Sequence, residues 1–415
     1  MNFSESDVAL ERALQVIPNG TCTFSKSRTM LPVGHSPFYA DRGFGGHLWD
    51  IDDNEFLDLT MGLTAVTLGY RHKRVDQAVM AQVKRGGAIF SLPQNLEITV
   101  AERIIDMVPC AEMVRFGKNG SDVTAGAVRL ARYVTGRDMV LCCGYHGWQD
   151  WYIGTTGRNG GVPAVVSELT KQFRYNDILH LTVLLEKYEG QVACVIMEPM
   201  NRVFPVPGFL QSVQNLCKKY GVIFILDEVI TGFRFANGGA QEYFGIVPDM
   251  CTLGKGIANG YPLSAVCGKR ELMEEFSKIH FSFTYASDSI ALTAANTTLL
   301  EYKYGDVCEK LAERGEKLKT ELNKSIREIG ITHLISSVSG HPAWSHFNFK
   351  DDVVKSEFLK QVHSLGILTA GTNNLCYMHT DADIDYALCM YEIAFERLAS
   401  LDWTKADCLV ERGVR

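Results

Sequence analysis

The sequence lacks the features that mark several large classes of protein. It has no extended run of basic residues: 41 Lys and Arg stand against 48 Asp and Glu, which gives a formal net charge of −7. This balance argues against a nucleic-acid partner. The longest apolar runs, such as 222–226, have the length of a strand and fall far short of a bilayer span, so we expect no membrane partner either.

The 12 cysteines and 11 histidines show no spacing typical of a metal site or a disulfide framework. No pair of cysteines forms C-x-x-C, and no H-E-x-x-H occurs. Cys194, Cys251 and Cys267 lie inside apolar runs, where a free thiol behaves as a small apolar side chain. We expect reduced core thiols, no metal, and a cytoplasmic protein. The polar, acidic first residues are unlike a signal or transit peptide and favour the same location.

The chain does contain enough apolar material for a large core, since 46% of its 415 residues are hydrophobic. This length favours more than one domain. From about residue 72 to 285, short apolar runs alternate with longer helical stretches, which is typical of βαβ units and a mainly parallel sheet. We predict an α/β fold with a large domain over 71–289. The N-terminal segment 1–70 and the C-terminal part 290–415 are predicted to build a smaller α+β domain.

Chemically active side chains follow four of the apolar runs. In an open parallel sheet, ligands bind outside the carboxyl ends of the strands, so residues at these positions share one edge. The four positions carry an aromatic pair, a glutamate before a proline, two adjacent acids and a lysine between glycines, namely Tyr145-His146, Glu198-Pro199, Asp227-Glu228 and Gly254-Lys255-Gly256. The sequence therefore predicts a site with acids, an aromatic plate and a lysine.

A further element suits a phosphate group. Gly120 and Ser121 precede a helical stretch over 123–134, which Gly136 could close. Gly120 allows close backbone approach, and Ser121 is predicted to cap the helix. The free N–H groups and the positive end of the helix dipole favour a phosphate at this point.

Together these features predict a pyridoxal 5'-phosphate site. Lys255 would form an aldimine with the cofactor, Asp227 would keep the ring nitrogen protonated, and Tyr145 would stack on the ring. Each residue alone has an ordinary structural explanation. Lys255 fits an exposed loop lysine, Asp227 and Ser121 fit helix caps, and Tyr145 with His146 fits core packing. Their joint placement in this order favours the cofactor.

Two rival motifs fail at the same lysine. A phosphate-binding P-loop needs Ser or Thr after the lysine, where Gly256 stands, and a first glycine where Asp249 stands. A dinucleotide fingerprint starting at Gly254 needs a glycine where Asn259 stands. Neither nucleotide-binding motif therefore explains Lys255.

These residues resemble the class III pyridoxal-phosphate-dependent aminotransferases, and among them glutamate-1-semialdehyde 2,1-aminomutase and its relatives. The similarity covers nearly the whole chain. Its most specific part is Asp227-Glu228-Val229-Ile230-Thr231-Gly232-Phe233-Arg234, followed by Gly238-Gly239-Ala240-Gln241, Pro248-Asp249 and Thr252-Leu253-Gly254-Lys255. The resemblance implies fold type I and an obligate homodimer with active sites at the subunit interface.

The resemblance also implies roles for single residues around the cofactor ring. Lys255 would be the lysine that binds the cofactor, and Asp227 the partner of the pyridine nitrogen. Tyr145 would lie on one face of the ring and Val229 on the other.

Further roles follow from the same resemblance. Gly120 and Ser121 would hold the phosphate, and Thr284 would reach the phosphate of the partner subunit's cofactor. His146 and Glu198 match positions beside the cofactor.

This sequence differs from the aminomutase mainly at positions that are expected to contact the substrate. Arg28 matches the aminomutase arginine that binds the substrate carboxylate, but an insertion precedes it; Trp148 and Asn201 are further candidate substrate residues. The segment 371–377 is shorter than in the aminomutase and supplies no glutamate. The run 148–151 is similar to mutase-like enzymes linked to surface polysaccharide synthesis.

We therefore predict an aminotransferase that moves an amino group from an amino-acid donor to an oxo acceptor through a Lys255 aldimine. A keto sugar for surface polysaccharide is one candidate acceptor. The first alternative is intramolecular amino transfer of the glutamate-1-semialdehyde 2,1-aminomutase type. The second is a catalytically idle binding module, against which the set of Lys255, Asp227 and Tyr145 argues.

Overall fold

The computed structural model describes residues 1–410, which divide into two compact units. Residues 1–72 and 309–410 form the first unit, and residues 73–308 form the second. The second unit thus extends past the predicted boundary at 289/290. The reason is the helix Ser289–Tyr304, which packs against Lys73–Gly86 and Asn95–Met107 of the same unit.

The secondary structure alternates helices and strands through most of the chain. Within residues 1–410 the α-helices are α1 (Ser4–Val16), α2 (Met61–Thr64), α3 (Lys73–Gly86), α4 (Asn95–Met107), α5 (Gly120–Thr135), α6 (Asp150–Ile153), α7 (Ala164–Glu168), α8 (Ile178–Lys187), α9 (Phe209–Tyr220), α10 (Ala240–Phe244), α11 (Arg270–Met273), α12 (Ser289–Tyr304), α13 (Val307–Ile329), α14 (Asp352–Ser364) and α15 (Asp381–Ala399). The strands are β1 (Ala40–Phe44), β2 (His47–Asp50), β3 (Glu55–Asp58), β4 (Met113–Gly117), β5 (Met139–Cys143), β6 (Thr170–Gln172), β7 (Val192–Met197), β8 (Ile223–Glu228), β9 (Met250–Leu253), β10 (Ser264–Gly268), β11 (Ile335–His341), β12 (Trp344–Phe349), β13 (Ile367–Leu368) and β14 (Thr372–Asn374). Short 3₁₀ turns occupy Pro18–Gly20, Phe24–Lys26, Lys255–Ala258, Glu274–Lys278 and Trp403–Lys405.

The second unit is built on a seven-stranded sheet in the order β4-β10-β9-β8-β7-β5-β6. Strands β6, β5, β7, β8 and β9 run parallel, and β10 runs antiparallel to both of its neighbours. All residues of β5 and β7 are buried, as expected for parallel strands covered on both faces. The predicted α/β fold with a mainly parallel sheet is confirmed.

Helix α5 brings a helix N-terminus to the carboxyl edge of this sheet. β4 ends at Gly117, and α5 begins three residues later at Gly120. β4 runs in the same direction as β9, because both are antiparallel to β10. The apolar face of α5, including Val123, Ala127 and Leu130, packs into the core under the sheet. Gly136 ends the helix in the left-handed region, with φ +64°, as the sequence predicted.

The first unit contains two smaller sheets. One has the order β1-β2-β3-β13, in which β2 and β3 form an antiparallel hairpin. The other is the antiparallel sheet β11-β12-β14. Aromatic side chains of β12, α14 and α15 form its core, with Phe347 packed on Phe358 and Tyr391. Among residues 1–410, each helix is too short or too polar to cross a bilayer.

Candidate active site

The predicted site residues of the second unit meet at the carboxyl edge of the large sheet. Glu198 follows β7 directly, and Gly254-Lys255 follows β9. Asp227 and Glu228 differ slightly from the prediction, since they are the last two residues of β8 and do not lie beyond it. Their backbone pairs with β9 and so continues the strand by two residues.

The Asp227 carboxylate is buried and held in a fixed orientation. Its Oδ2 lies 2.7 Å from Nδ1 of His146. Its Oδ1 accepts hydrogen bonds from the Val229 N–H and the Thr252 hydroxyl, both at 3.1 Å. A buried carboxylate with these donors is suited to accept a further hydrogen bond from a protonated ring nitrogen.

His146 joins this carboxylate to the neighbouring strand. Its ring is buried, and Nε2 lies 3.2 Å from the carbonyl oxygen of Cys143 at the end of β5. The ring stacks on Trp151 with centroids 6.0 Å apart. The Thr124 hydroxyl of α5 donates to the His146 carbonyl at 2.8 Å. These contacts place His146 in a positioning role beside Asp227.

Lys255 adopts a backbone conformation that is costly for a residue with a side chain. Its φ is +46°, in the left-handed region, directly after the extended Gly254. The turn is held from α12, where the Tyr302 hydroxyl donates to the Gly256 carbonyl at 2.8 Å. Strained residues of this kind concentrate at functional sites because the surroundings maintain them for a purpose other than stability.

Two glycines allow three elements to converge on Val229. A Cβ atom added to Gly120 would lie 3.0 Å from Cγ1 of Val229, and one added to Gly254 would lie 3.2 Å from the same atom. The N-terminus of α5 and the ends of β8 and β9 are therefore in close contact. This places the predicted phosphate site, Asp227 and Lys255 next to one another.

The predicted cap of α5 is wrong. The helix begins at Gly120, so Ser121 already lies in its first turn. The carboxylate of Asp122 accepts hydrogen bonds from the N–H groups of Asn119 and Lys118, at 2.8 and 3.1 Å. Asn119 precedes the first helical residue and therefore holds the cap position, and Asp122 accepts from the Asn119 N–H as the acid of a capping box does.

The Ser121 hydroxyl instead contacts the loop after β5. It accepts a hydrogen bond from the Trp148 N–H at 3.3 Å. A Cβ atom on Gly147 would lie only 2.2 Å from Oγ of Ser121, and the φ of Gly147 is +103°. Only glycine fits here, and the loop that carries Tyr145 is thereby held against the first turn of α5.

The Glu198 carboxylate holds the backbone of the same loop. Its Oε2 accepts hydrogen bonds from the Tyr145 N–H at 3.0 Å and from the Asn201 side chain at 2.7 Å. A Cβ atom on Gly144 would lie 2.6 Å from this oxygen. The structure thus gives Glu198 a positioning contact with Tyr145 and with the candidate substrate residue Asn201. The Tyr145 ring packs edge-to-face on Tyr152 at 5.6 Å, which fixes its orientation.

The side chains of two predicted residues of the second unit, Trp148 and Thr284, are not brought into this group of contacts. The Trp148 side chain is 66% exposed. Thr284 is exposed on the connection that leads to α12. Arg28 belongs to the first unit and is also exposed, next to the turn Phe24–Lys26. The substrate role of Arg28 and the role of Thr284 at a partner subunit stay predictions.

Sequence reasoning missed Thr252 and Asp122. Thr252 pairs in register with Asp227 on the adjacent strand. This contact cannot be recognised before the strand order is known. Asp122 had a local signal, because an acid in the first turn of a helix is a common partner for the backbone N–H groups that precede it.

The residues at this edge fit pyridoxal phosphate. Asp227 supplies a fixed carboxylate for a ring nitrogen, Lys255 supplies an amine at a strand end, and the glycine-lined N-terminus of α5 supplies N–H donors for a phosphate. With the mainly parallel sheet, they define the class of fold type I enzymes that depend on pyridoxal phosphate.

Comparison with known proteins shows the family. The model of the aminotransferase class-III family matches residues 30–390, and the chain belongs to this family. It is 32% identical to the 3-aminobutyryl-CoA aminotransferase of Cloacimonas acidaminovorans, over 94% of this chain and 96% of that protein. It is 36% identical to the glutamate-1-semialdehyde 2,1-aminomutase of Citrifermentans bemidjiense, over 80% and 81%. The structure resembles the PLP internal aldimine form of the FumI protein of Sphingopyxis sp. MTA144, with a TM-score of 0.91, 26% identity, and coverage of 98% and 99%.

Three predictions are thereby confirmed. The fold is that of a fold type I enzyme, the cofactor is pyridoxal phosphate, and the enzyme class is a class III transaminase.

Proposed function

We propose that the chain is an intermolecular aminotransferase in which Lys255 binds the cofactor and transfers the proton. The observation that carries the proposal is the buried Asp227 carboxylate, oriented by His146 and Thr252 at the strand edge that Lys255 also occupies. When bound, pyridoxal phosphate supplies a protonated ring that withdraws electrons from the reacting carbon.

The amine of Lys255 is the group of the chain that acts on the substrate. With the cofactor bound, this amine would act as the base that takes the proton from the donor's α-carbon, and it would later give that proton back. Its place at the end of β9, in a turn held by Tyr302, supports this role because the turn fixes where the side chain starts.

The other residues bind and orient. The N–H groups at the start of α5 and the Ser121 hydroxyl would bind the phosphate. Tyr145 would cover one face of the ring and Val229 the other, and Glu198 holds the backbone of Tyr145 in place. Glycines at 120, 147 and 254 support this arrangement, since a side chain at any of them would meet a neighbouring atom.

The amino donor and the oxo acceptor are two different substrates, and we propose each of them separately. We propose an amino-acid donor such as glutamate. For the acceptor we propose an oxo compound, with a keto sugar and a 3-oxoacyl thioester as the two classes to compare. The thioester class enters because the 32% identical relative is named 3-aminobutyryl-CoA aminotransferase.

A half-reaction screen tests the proposal. The purified enzyme is mixed with single amines, and the loss of the visible absorbance of lysine-bound pyridoxal phosphate is followed; single oxo compounds are then added and its return is followed. We expect at least one amine and one oxo compound to work as a pair. Protein that shows no such absorbance after incubation with pyridoxal phosphate would favour the idle binding module.

Intramolecular amino transfer is the second candidate, favoured by the 36% identity to the aminomutase. A variant of Arg28 distinguishes the aminotransferase from the aminomutase. A guanidinium that pairs with a substrate carboxylate contributes roughly 1.5–3 kcal/mol, or about ten- to a hundredfold in binding. For an aminotransferase with a dicarboxylic donor, Arg28→Ala should slow the donor half-reaction and leave that of a neutral acceptor unchanged. Equal loss in both halves would favour the aminomutase, and no loss in either would remove Arg28 from the site.

We also propose a homodimer in which Thr284 binds the phosphate of the partner subunit's cofactor. The exposure of Thr284 supports this proposal, because the hydroxyl is accessible to a second subunit.

A further inference from the structure

Three cysteine side chains meet in the core of the second unit, away from the site described above. The sulfur atoms of Cys110, Cys251 and Cys267 all lie within 4.8 Å of one another. Cys251 and Cys267 are fully buried, and Cys110 is 3% exposed. We call these three residues the thiol cluster.

Two residues of the thiol cluster, Cys251 and Cys267, are neighbours in the large sheet. Cys251 on β9 and Cys267 on β10 are directly opposite each other in the antiparallel pair, so their side chains share one face. Their sulfurs lie 3.3 Å apart, far longer than a disulfide bond of about 2.05 Å, and both are free thiols. The alternate residues Met250 and Val266 pack into the core cluster that contains α5, which leaves the cysteines on the opposite face.

The connection between α4 and β4 brings the third sulfur. Cys110 lies on this connection, and its N–H donates to Oε1 of Gln241 in α10 at 2.9 Å. The next residues are tied to the end of β10, where the Glu112 N–H donates to the Gly268 carbonyl at 3.0 Å. Three separate elements therefore hold three thiols around one point.

We propose that the thiol cluster is a binding site for a thiophilic monovalent metal ion, Cu(I), coordinated by the three sulfurs. Soft sulfur ligands select Cu(I), zinc or iron–sulfur clusters. Structural zinc sites and iron–sulfur clusters take four protein ligands, whereas the donor group found among residues 1–410 has three. Three sulfurs at about 2.3 Å from a metal in one plane lie about 4 Å apart, so only small side-chain shifts are needed.

The binding step is a ligand exchange without oxidation or reduction. Each coordinating thiol that carries a proton releases it to the buffer as its S–Cu bond forms, and copper remains Cu(I). Cys251 lies within β9, whereas Lys255 lies beyond the end of that strand, and the three cysteines are outside the contacts described for the candidate site. Transamination therefore serves as a check that a variant has folded and not as the readout of copper binding.

The test uses the full-length holoenzyme with its three exposed cysteines, Cys22, Cys389 and Cys408, replaced by serine. Cu(I) is titrated without oxygen against a chromogenic Cu(I) chelator. We expect one retained equivalent, and an X-ray absorption spectrum with three sulfur neighbours at about 2.3 Å. Protein from copper-supplemented cells is measured in parallel, which covers slow entry into a buried site.

Matched variants test whether the copper is bound by the thiol cluster. Cys267→Ala should weaken Cu(I) binding at least about 100-fold, since even residues that only support a metal ligand contribute 10–100-fold. Cys194→Ala removes an equally buried thiol of the same sheet outside the thiol cluster and should bind like the parent. If Cys267→Ala fails to fold, Cys110→Ala, on the connection, replaces it.

Loss of all copper to the chelator in both preparations would overturn the proposal. Equal retention by the cluster variants and the Cys194→Ala control would also overturn it. Retention of zinc but not of Cu(I) would overturn the assignment of the metal.

Discussion

At the scale of single residues, the two adjacent acids of β8 have opposite surroundings. Asp227 faces His146 and Thr252 at the candidate site. The Glu228 side chain accepts hydrogen bonds from Gln241 and Thr231. Burial raises the pKa of Glu228 to about 7, well above the ordinary value for a glutamate. The two carboxylates of β8 therefore differ in their partners: Asp227 lies at the candidate site, and Glu228 is held by Gln241 and Thr231.

This difference gives the first prediction. Asp227→Asn should lower kcat by about ten- to a hundredfold or more, because it removes a charge-assisted hydrogen bond of about 1.5–3 kcal/mol that is strongest in the transition state. Cofactor affinity should change little, since the phosphate contacts remain. Steady-state kinetics and cofactor titration measure the two effects.

Glu228→Gln is the matched control for this experiment. It neutralises the neighbouring acid, so it should change stability and leave kcat within a few-fold of the parent. Equal kcat for Asp227→Asn and the parent would show that Asp227 only orders the backbone, as a helix cap would.

The residues of the candidate site can be chosen from local sequence, but their contacts cannot. Asp227, Lys255 and Tyr145 follow apolar runs that the chain itself displays. The partners of Asp227 are 81 residues away at His146 and 25 residues away at Thr252. Finding them requires the order of strands β5, β7, β8 and β9, which local sequence patterns do not determine. The cap of α5 depends on where the helix starts: because the first helical residue is Gly120, the cap position belongs to Asn119 and not to Ser121.

At the scale of elements, fully buried strands are the easiest to recognise in the sequence. The apolar runs of β5, β7 and β9 agree with the strands of the structure, since each is fully buried and bounded by polar residues or glycine. The end of the large unit was harder to predict. Ser289–Tyr304 looks like the start of a new helical region, and its packing on α3 and α4 depends on contacts distant in sequence.

A histidine connects two elements of the first unit and gives the second prediction. The His47 ring of β2 lies 3.1 Å from Asp383 of α15 through Nε2 and 3.0 Å from Glu55 of β3 through Nδ1. The hydrogen bond to Asp383 and both negative charges raise the pKa of His47 above its ordinary value, while burial opposes the shift. His379 nearby stays neutral, because burial lowers its pKa to about 4.

The sign of the effect follows from the raised pKa. The stabilisation by protonated His47 is fully present below the ordinary histidine pKa of about 6.5 and is lost as the pH rises through the raised value in the folded chain. His47→Gln should therefore lower the thermal midpoint more at about pH 5.5 than at about pH 9.

Thermal melts of the full chain across this range measure the effect. His333→Gln, an exposed histidine of the same unit, is the control and should show no such trend. If His47→Gln lowers the thermal midpoint by the same amount at every pH, the ion-pair explanation is contradicted.

At the scale of the whole molecule, the third prediction concerns subunit exchange. If Thr284 serves the partner's cofactor, a Lys255→Ala chain mixed with a Thr284→Ala chain forms dimers in which both lesions fall in one site. The other site has an intact Lys255 and an intact Thr284. Mixing two weakly active variants should therefore restore activity, up to about half of the heterodimer's sites.

Activity after mixing is measured together with the fraction of heterodimer, for instance by native mass spectrometry of differently tagged chains. Each variant re-mixed with itself is the control. Verified exchange without any gain in activity would show that Thr284 serves its own subunit, or serves no cofactor.

The central claim is that Lys255 is the lysine that binds pyridoxal phosphate, and one chemical measurement tests it directly. Borohydride reduction makes the lysine–cofactor bond permanent, and mass spectrometry of the digested protein then locates the label. We expect one label per chain, on the peptide that contains Lys255, and none in Lys255→Ala treated in parallel. A label on another lysine, or equal labelling of parent and variant, would contradict the account.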